Sequence, residues 1–432
     1  MRVLVVGGGG REHAIVDAIS REEGVKIFCA PGNAGIGAQA EIVDLKADDI
    51  FPLIRFVDDN KIDMTIVGPE QPLAAGIVDA FDSRGKKIFG PRKLAARLET
   101  SKVFAKEFMK RWKIPTAGFR SFTIQQHKEL LDYLAGASYP LVLKADGLAA
   151  GKGVSIVESA KDAEGELERL FIKKVYGGAG ERVVVEEFMT GIEASVFAIT
   201  DGKDYVVLPP AQDHKRSGDN DTGKNTGGMG AFAPTPFVSD SNMAVIKSSV
   251  IEKVIEGTSA EGFPFKGCLY CGIMLTEEGP KVVEFNARFG DPETQAVLQL
   301  VDSSVLELLE ASAAKKIGSY NLRLNGSASV CVITASKGYP EYHESGKEIG
   351  GLELNSDSAK VFHSGTRKLD GRIVTSGGRV LGVTGTDAGG SVKRAAELAY
   401  GRLERIHYDG MFYRHDIGKR AIDLEESGGA AS

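Results

Sequence analysis

The sequence predicts a mixed chain, part α/β and part α+β. An N-terminal open parallel α/β domain is followed by a core of two α+β subdomains and a small, mostly β C-terminal domain. Three observations carry this. Short β-branched runs alternate with helical patterns over the first hundred residues, each run closing in a Gly or Pro turn, the rhythm of a parallel sheet with helices between its strands. Strand-like stretches between about 140 and 295 are then interrupted by glycine-rich and polar loops. From about 323 strand patterns dominate until one last helix. The chain has 432 residues, 42% of them hydrophobic and 26% charged, enough for about three domains with ordinary cores.

The expected domains are 1–100, 101–190, 191–322 and 323–420, with 421–432 a flexible tail. In the first, strands fall at 2–6, 26–29, 64–67 and 87–89, and the turns after them contain Gly7 to Gly10, Pro31-Gly32-Asn33, Gly68-Pro69-Glu70 and Gly90-Pro91. Open parallel sheets bind ligands at such loops. The run Val5-Val6-Gly7-Gly8-Gly9-Gly10-Arg11-Glu12-His13 is a strand-to-helix turn whose backbone N–H groups can meet phosphate. It is not a dinucleotide fingerprint: one frame puts Glu12, the other His13, at the third glycine. The second strand ends Cys29-Ala30-Pro31, with no acid for a ribose diol. A phosphate site for a smaller ligand fits better, and turns that only need φ > 0 are the plain alternative.

In 101–190, 102–112 has helical spacing, 140–146 and 153–157 read as strands, 163–174 as an amphipathic helix and 182–188 as a strand. Lys144-Ala145-Asp146-Gly147-Leu148-Ala149-Ala150-Gly151-Lys152-Gly153-Val154 is not a Walker A loop, because three residues separate its glycines and Gly153 follows the Lys. It joins two strands and suits a mobile lid, with backbone amides on phosphates and Lys144 a point charge beneath them. Glu186-Glu187-Phe188-Met189-Thr190-Gly191-Ile192-Glu193 ends a strand and could hold a nucleoside; a solvated turn is the plainer reading.

In 191–322 a polar loop is expected over 212–236, with Gln212-Asp213-His214-Lys215-Arg216 and Asn225-Thr226-Gly227-Gly228-Met229-Gly230 suited to an anionic substrate and an amine. His214 belongs to no recognisable triad and reads as a positioning or surface residue. The run Val283-Glu284-Phe285-Asn286-Ala287-Arg288 reads as a strand with Glu284, Asn286 and Arg288 on one face and Phe285 in the core. A carboxylate and an amide oxygen are hard ligands that suit Mg²⁺ or Mn²⁺ bridging nucleotide phosphates. In 323–420, strands are expected at 328–335, 360–363, 372–376 and 379–385, then a helix at 390–405.

Cys29, Cys268, Cys271 and Cys331 sit in apolar contexts. Cys268 and Cys271 match C-x-x-C without a second pair at zinc spacing, so buried, reduced and inert thiols are expected. A net charge of −6 without a basic block argues against nucleic acid, and no apolar run reaches membrane-spanning length. With no secretory pattern at the start, a cytoplasmic protein without membrane association is expected.

Taken together, nine segments resemble the phosphoribosylamine–glycine ligase family of the ATP-grasp superfamily, from Met1 to about Arg420. They are GGGGREHA, PGNAG, GPE, the Ser101-Lys102 pair, LVLKADGLAAGKGV, EEFMTGIEAS, AQDHKR, NTGGMGA and EFNARFGDPETQ. The resemblance implies ATP-dependent joining of glycine to 5-phosphoribosylamine through a glycyl phosphate. It implies that Lys102 and Lys144 contact ATP phosphates under the Gly151-Lys152-Gly153 loop, that Glu186, Glu187 and Phe188 hold adenine, and Glu193 ribose. It places the metal, Mg²⁺ or Mn²⁺, on Glu284 and Asn286. Lys144, Asp213, Lys215 and Arg288 become the catalytic set, with Asp213, Gly228 and Arg288 around glycine. Gly9, Gly10, Arg11, Glu12, Gly32, Asn33, Pro69 and Glu70 would receive phosphoribosylamine. A monomer is expected. Many ATP-grasp enzymes carry a further acid on the preceding strand, where this chain has Gly272. The alternatives are another ATP-grasp carboxylate–amine ligase, or a nucleotide-binding regulator that keeps the fold; the latter should have lost Lys102, Lys144, Glu284 or Asn286, and all four are present.

Overall fold

Val3, Leu4, Val5 and Val6 are wholly buried, as expected of a parallel strand covered on both faces. Their strand, Arg2–Gly7, is the middle of a five-stranded parallel sheet ordered Glu41–Ile42, Lys26–Pro31, Arg2–Gly7, Met64–Val67 and Ile88–Phe89. Chain order reverses beside Arg2–Gly7, so the crevice of this sheet opens between the Gly7 and Gly68 turns. The computed structural model describes residues 1–147, 153–173, 181–353 and 358–428. Gly151 and Lys152 of the expected lid lie outside them.

The second sheet is antiparallel, ordered Phe119–Thr123, Arg182–Glu187, Leu141–Ala145 and Val154–Val157. Alternation along Leu141–Ala145 sends Leu141, Leu143 and Ala145 into a core with helices His127–Ala135 and Ala160–Leu167, and leaves Val142 and Lys144 on the other face. The third sheet is antiparallel too: Tyr205–Val207, Ile192–Thr200, Gly267–Thr276 and Gly279–Asn286. Cys268 and Cys271 fall into different cores on its two faces, and all four cysteines are free and buried, their thiols pushed up by burial. Among the described residues no helix is long and apolar enough to cross a membrane.

Two expectations are corrected. The polar stretch 212–236 is not a loop. Gln212–Asp213 and Gly230–Ala233 are strands of a sheet that continues through Ala328–Ala335, Arg379–Asp387 and Ala359–His363, and Arg216–Gly218 pairs with Thr222–Asn225 as a hairpin. Its glycines hid the pattern. Arg414, fully buried, fastens the hairpin through Asp221 (2.9 Å) and the Arg216 carbonyl (3.1 Å). The expected tail is also ordered in part: Lys419–Glu426 is helical, and Glu425 accepts from the Val392 and Lys393 amides at the start of helix Val392–Leu403. That carboxylate satisfies amides the helix leaves free.

The last sheet also docks on the first domain. The His363 amide donates to His13 Nδ1 (2.8 Å), so that ring carries its proton on Nε2. Asn33 donates to the His363 carbonyl (2.7 Å), and Lys360 pairs with Asp17 (2.8 Å). Burial, helped by their proximity, lowers His13 to about 3, and burial lowers His363 to about 4. Both lie below the unfolded value near 6.5, so the stability they contribute is complete above that pH and is lost as pH falls through it. His363→Asn, which keeps a polar atom near Thr366 but does not titrate, should therefore lose less stability than the parent between about pH 6.5 and pH 4.5 in urea unfolding; equal slopes would refute the buried neutral pair.

Candidate active site

The second and third sheets face each other across a cavity of about 840 Å³. One wall is apolar: Val142, Val154, Ile156, Phe188 and Met274 line it, and Ile156 and Phe188 remain exposed there. Ser101 caps helix Lys102–Trp112 by accepting from the Phe104 amide (3.1 Å), and donates to Asp146 (2.8 Å). That cap sets Lys102 at the helix start, its ammonium 2.8 Å from Glu284. Lys144 and Lys106 both reach the buried Glu186 carboxylate, at 3.0 and 2.8 Å, and Lys144 also donates to the Val283 carbonyl (3.0 Å). Three ammoniums thus meet two carboxylates, leaving one positive charge in excess, which suits a polyanion. Burial and the neighbouring ammoniums outweigh the pull of Glu186 and lower Lys106 to about 8.

Glu284 pairs across the sheet with Gly272, and Asn286 with Tyr270, so both acid and amide stand on the cavity face. Gly272, without a side chain, adds no ligand opposite Glu284. Burial alone would raise the Glu284 carboxyl, but Lys102, Lys215 and Lys144 together hold it well below its ordinary range. The donor set fits a hard divalent cation that takes its remaining ligands from phosphate and water. Among the described residues no group of three or more His, Cys, Asp or Glu could hold a metal.

At the far end Arg288 lies between Glu99 (2.8 Å) and Glu70 (3.2 Å) and donates to the Phe289 carbonyl (3.2 Å). Its Nε and one Nη1 hydrogen are used in hydrogen bonds while Nη2 is ion-paired, so part of the five-donor fork remains for a ligand. Lys215 pairs with Glu193 (2.6 Å). Ser195 donates to Glu293 (3.0 Å) and bonds to the Tyr270 hydroxyl (2.9 Å). Arg379 reaches in from the last sheet to the Asp291 carboxylate (3.2 Å) and to the carbonyls of Gly227 (2.6 Å) and Asp291 (2.7 Å). At Gly228, with φ +109°, a Cβ would stand 2.4 Å from Pro292, so the turn requires glycine.

The cavity gathers Lys102, Lys144, Gly153, Glu186, Glu187, Phe188, Glu193, Asp213, Lys215, Glu284, Asn286 and Arg288, with Arg11 and Glu70 from the first domain. Gly9, Gly10, Glu12, Gly32, Asn33, Pro69 and Gly228 do not line it. Glu12 turns back onto the Gly9 amide (2.5 Å) and Arg11 (2.6 Å), where a Cβ on Gly68 would touch its carboxylate. It fills the anion site at its own helix start. Asn33 is spent on the Gly8 and His363 carbonyls. His214 accepts from the Gly418 amide (3.3 Å), and burial, then Arg414, lowers it to about 4. The sequence did not single out Glu99, Lys106, Tyr270, Glu293 or Arg379. Glu99 adjoins and Glu293 lies within a segment singled out for other residues; a lone Arg at a strand start offers no signal.

Comparison with known proteins gives consistent likenesses. Residues 1–99 match the phosphoribosylglycinamide synthetase N domain, 100–294 its ATP-grasp (A) domain and 329–420 its C domain. The chain is 49% identical over 418 residues to a phosphoribosylamine–glycine ligase of Caldanaerobacter subterraneus, spanning 96% of this chain and 99% of that one. It is 43% identical over 431 residues to one from Vibrio parahaemolyticus, spanning 99% and 100%. The crystal structure of a phosphoribosylamine–glycine ligase from Thermotoga maritima superposes with a TM-score of 0.83 at 33% identity, covering 96% of this chain and all of that one. A biotin carboxylase from Campylobacter jejuni, with a TM-score of 0.71 at 16% identity over 98% and 95% of the chains, shares the fold.

Asp213 offers a test of the site's electrostatics. Burial lifts its carboxyl most, Lys215 pulls it back, and Glu293, Glu193 and Glu284 add to the lift, leaving it at about 7. Raised above its unfolded value near 4, it favours the folded state while protonated, and that contribution is lost as pH rises through 7. Asp213→Asn should therefore gain in thermal midpoint over the parent, and gain more at about pH 8 than at about pH 4.5. A gap that does not widen with pH would mean the carboxyl titrates normally.

Proposed function

The chain belongs to the phosphoribosylglycinamide synthetase family, and from that premise we propose how its cavity works. The activity is ATP-dependent ligation of glycine to 5-phosphoribosylamine, a carbon–nitrogen bond-forming step of purine biosynthesis. A carboxylate is too poor an electrophile to form an amide in water, so it must first be activated. In our reading glycine attacks the γ-phosphorus and ADP leaves; the resulting glycyl phosphate is attacked at its carbonyl carbon by the amine, and inorganic phosphate departs. No side-chain nucleophile is needed, in keeping with four buried thiols.

The observation that carries this assignment is one cavity with an excess of ammonium groups at one end and a partly free guanidinium at the other. Lys102 and Lys144 neutralise the triphosphate, with Lys106 supporting Glu186 behind them, and Gly151, Lys152 and Gly153 are assigned to cover it. Adenine lies against the apolar wall at Glu186, Glu187 and Phe188, and ribose near Glu193, which Lys215 can release. Glu284 and Asn286 would hold the divalent cation, Mg²⁺ or Mn²⁺. When bound, it supplies charge neutralisation and alignment of the phosphates. The free donors of Arg288 receive the glycine carboxylate. Asp213, poised near neutral, takes the proton the attacking amine gives up, and Lys215 faces the developing charge. Arg11 and Glu70 receive phosphoribosylamine. The loops carrying Gly9, Gly10, Gly32, Asn33 and Pro69 support them from behind, and Glu12 anchors Arg11. We take the enzyme to be a monomer, and the reaction belongs with soluble cytoplasmic metabolism.

Glu284→Ala should abolish glycine-dependent ADP formation while leaving the far-UV spectrum intact; near-normal turnover would remove Glu284 from the site. Arg288→Lys loses the planar fork, and its glycine KM should rise by roughly tenfold or more, the cost of one charge-assisted hydrogen bond. An unchanged KM would place glycine elsewhere.

A further inference from the structure

Glu99 is buried at the end of helix Lys93–Thr100, outside both sheets of the cleft, yet it meets the cation site from behind. Its Oε2 accepts from the Ala287 amide (2.7 Å) and its Oε1 forms an ion pair with Arg288 Nη2 (2.8 Å). One end of the Asn286 amide lies 3.0 Å from the same Oε1 and 3.2 Å from the Phe285 carbonyl; the hydrogen-bond network assigns the nitrogen to that end, because an amide oxygen there would meet acceptors alone. An ionised carboxylate has no proton to give, so it admits only donors. With the nitrogen committed to Glu99, the oxygen is the atom of Asn286 left for a ligand.

We propose that Glu99 is a positioning residue that fixes which end of the Asn286 amide the cation meets, and holds Arg288 in the same act. This rests on the reading of Glu284 and Asn286 as the cation's ligands. An amide is ambivalent: turned one way it offers a hard oxygen lone pair, turned the other an N–H₂ that repels a cation. A carboxylate ligand would not need such a partner. Glu99→Gln makes the dependence visible. Its single oxygen can satisfy the Ala287 amide, but its own N–H₂ then faces two donors. The cheapest relief is for Asn286 to turn over and present nitrogen to the cation.

The experiment is Mn²⁺ binding to the whole protein with saturating ADP, read by electron paramagnetic resonance of free Mn²⁺, with no turnover required. Glu99→Gln should weaken Mn²⁺ binding by about tenfold or more, the usual size of a lost orienting partner, and approach the loss seen in Asn286→Ala. Asn286→Asp added to Glu99→Gln should restore binding to within about twofold of the parent, because a carboxylate presents oxygen whichever way it turns; a merely structural role for Glu99 predicts no such rescue. Normal Mn²⁺ binding in Glu99→Gln, with weakened binding in Asn286→Ala, would overturn the proposal alone. Normal binding in Asn286→Ala would overturn the cation site itself. Independently of any variant, a crystal structure of the parent with Mn²⁺ and ADP should show Asn286 ligating while hydrogen-bonded to Glu99, and a Glu99 carboxylate out of reach of Asn286 would also sink the idea.

Discussion

The cavity depends on like charges held together under protein cover. Lys106 and Lys144 crowd against Glu186, all three buried, and Lys102 meets Glu284 beside them on the cavity wall. Burying ions is costly, and a pair recovers that cost only with good geometry and further hydrogen bonds. Here Thr116 accepts from Lys106 (2.7 Å) and the Val283 carbonyl from Lys144, yet one positive charge stays unmatched and one oxygen of Glu186 has no partner among the described residues. A polyanion would balance that charge.

Legibility in the sequence followed periodicity. The parallel sheet was readable because β-branched runs such as Val3 to Val6 end in glycine turns, and Glu284 and Asn286 were readable because strand alternation places two residues apart on one face. Lys144 was readable as the basic residue that leads into a glycine-rich loop. The stretch 212–236 was misread because its strands are only two to four residues long and interrupted by glycine, too short for alternation to show. Glu12 shows another limit. Its place in a glycine-rich turn suggested a ligand contact, whereas the carboxylate closes on its own helix start. Glu99 and Arg379 act across the fold, at separations of 188 and 88 residues from their partners Ala287 and Asp291, and no spacing rule reaches so far.

The last sheet is more than a cap. Arg379 ties the carbonyls of the glycine turn to Asp291, Arg414 fixes the hairpin beyond it, and the His13–His363 contact holds the same sheet to the first domain. The Arg288 end of the cavity is thus braced by two domains at once, whereas the Lys144 end rests on the second sheet.

Gly230–Ala233 hydrogen-bonds to Gln212–Asp213 on one side and to Ala328–Ala335 on the other. Severing the chain between these segments would strip a neighbour from that strand and leave bare backbone donors and acceptors beside Asp213. The C-terminal quarter is consequently not an accessory that evolution could add to or subtract from a finished catalyst. A gene split at that point would need its two products to zip together along this ladder before either could work.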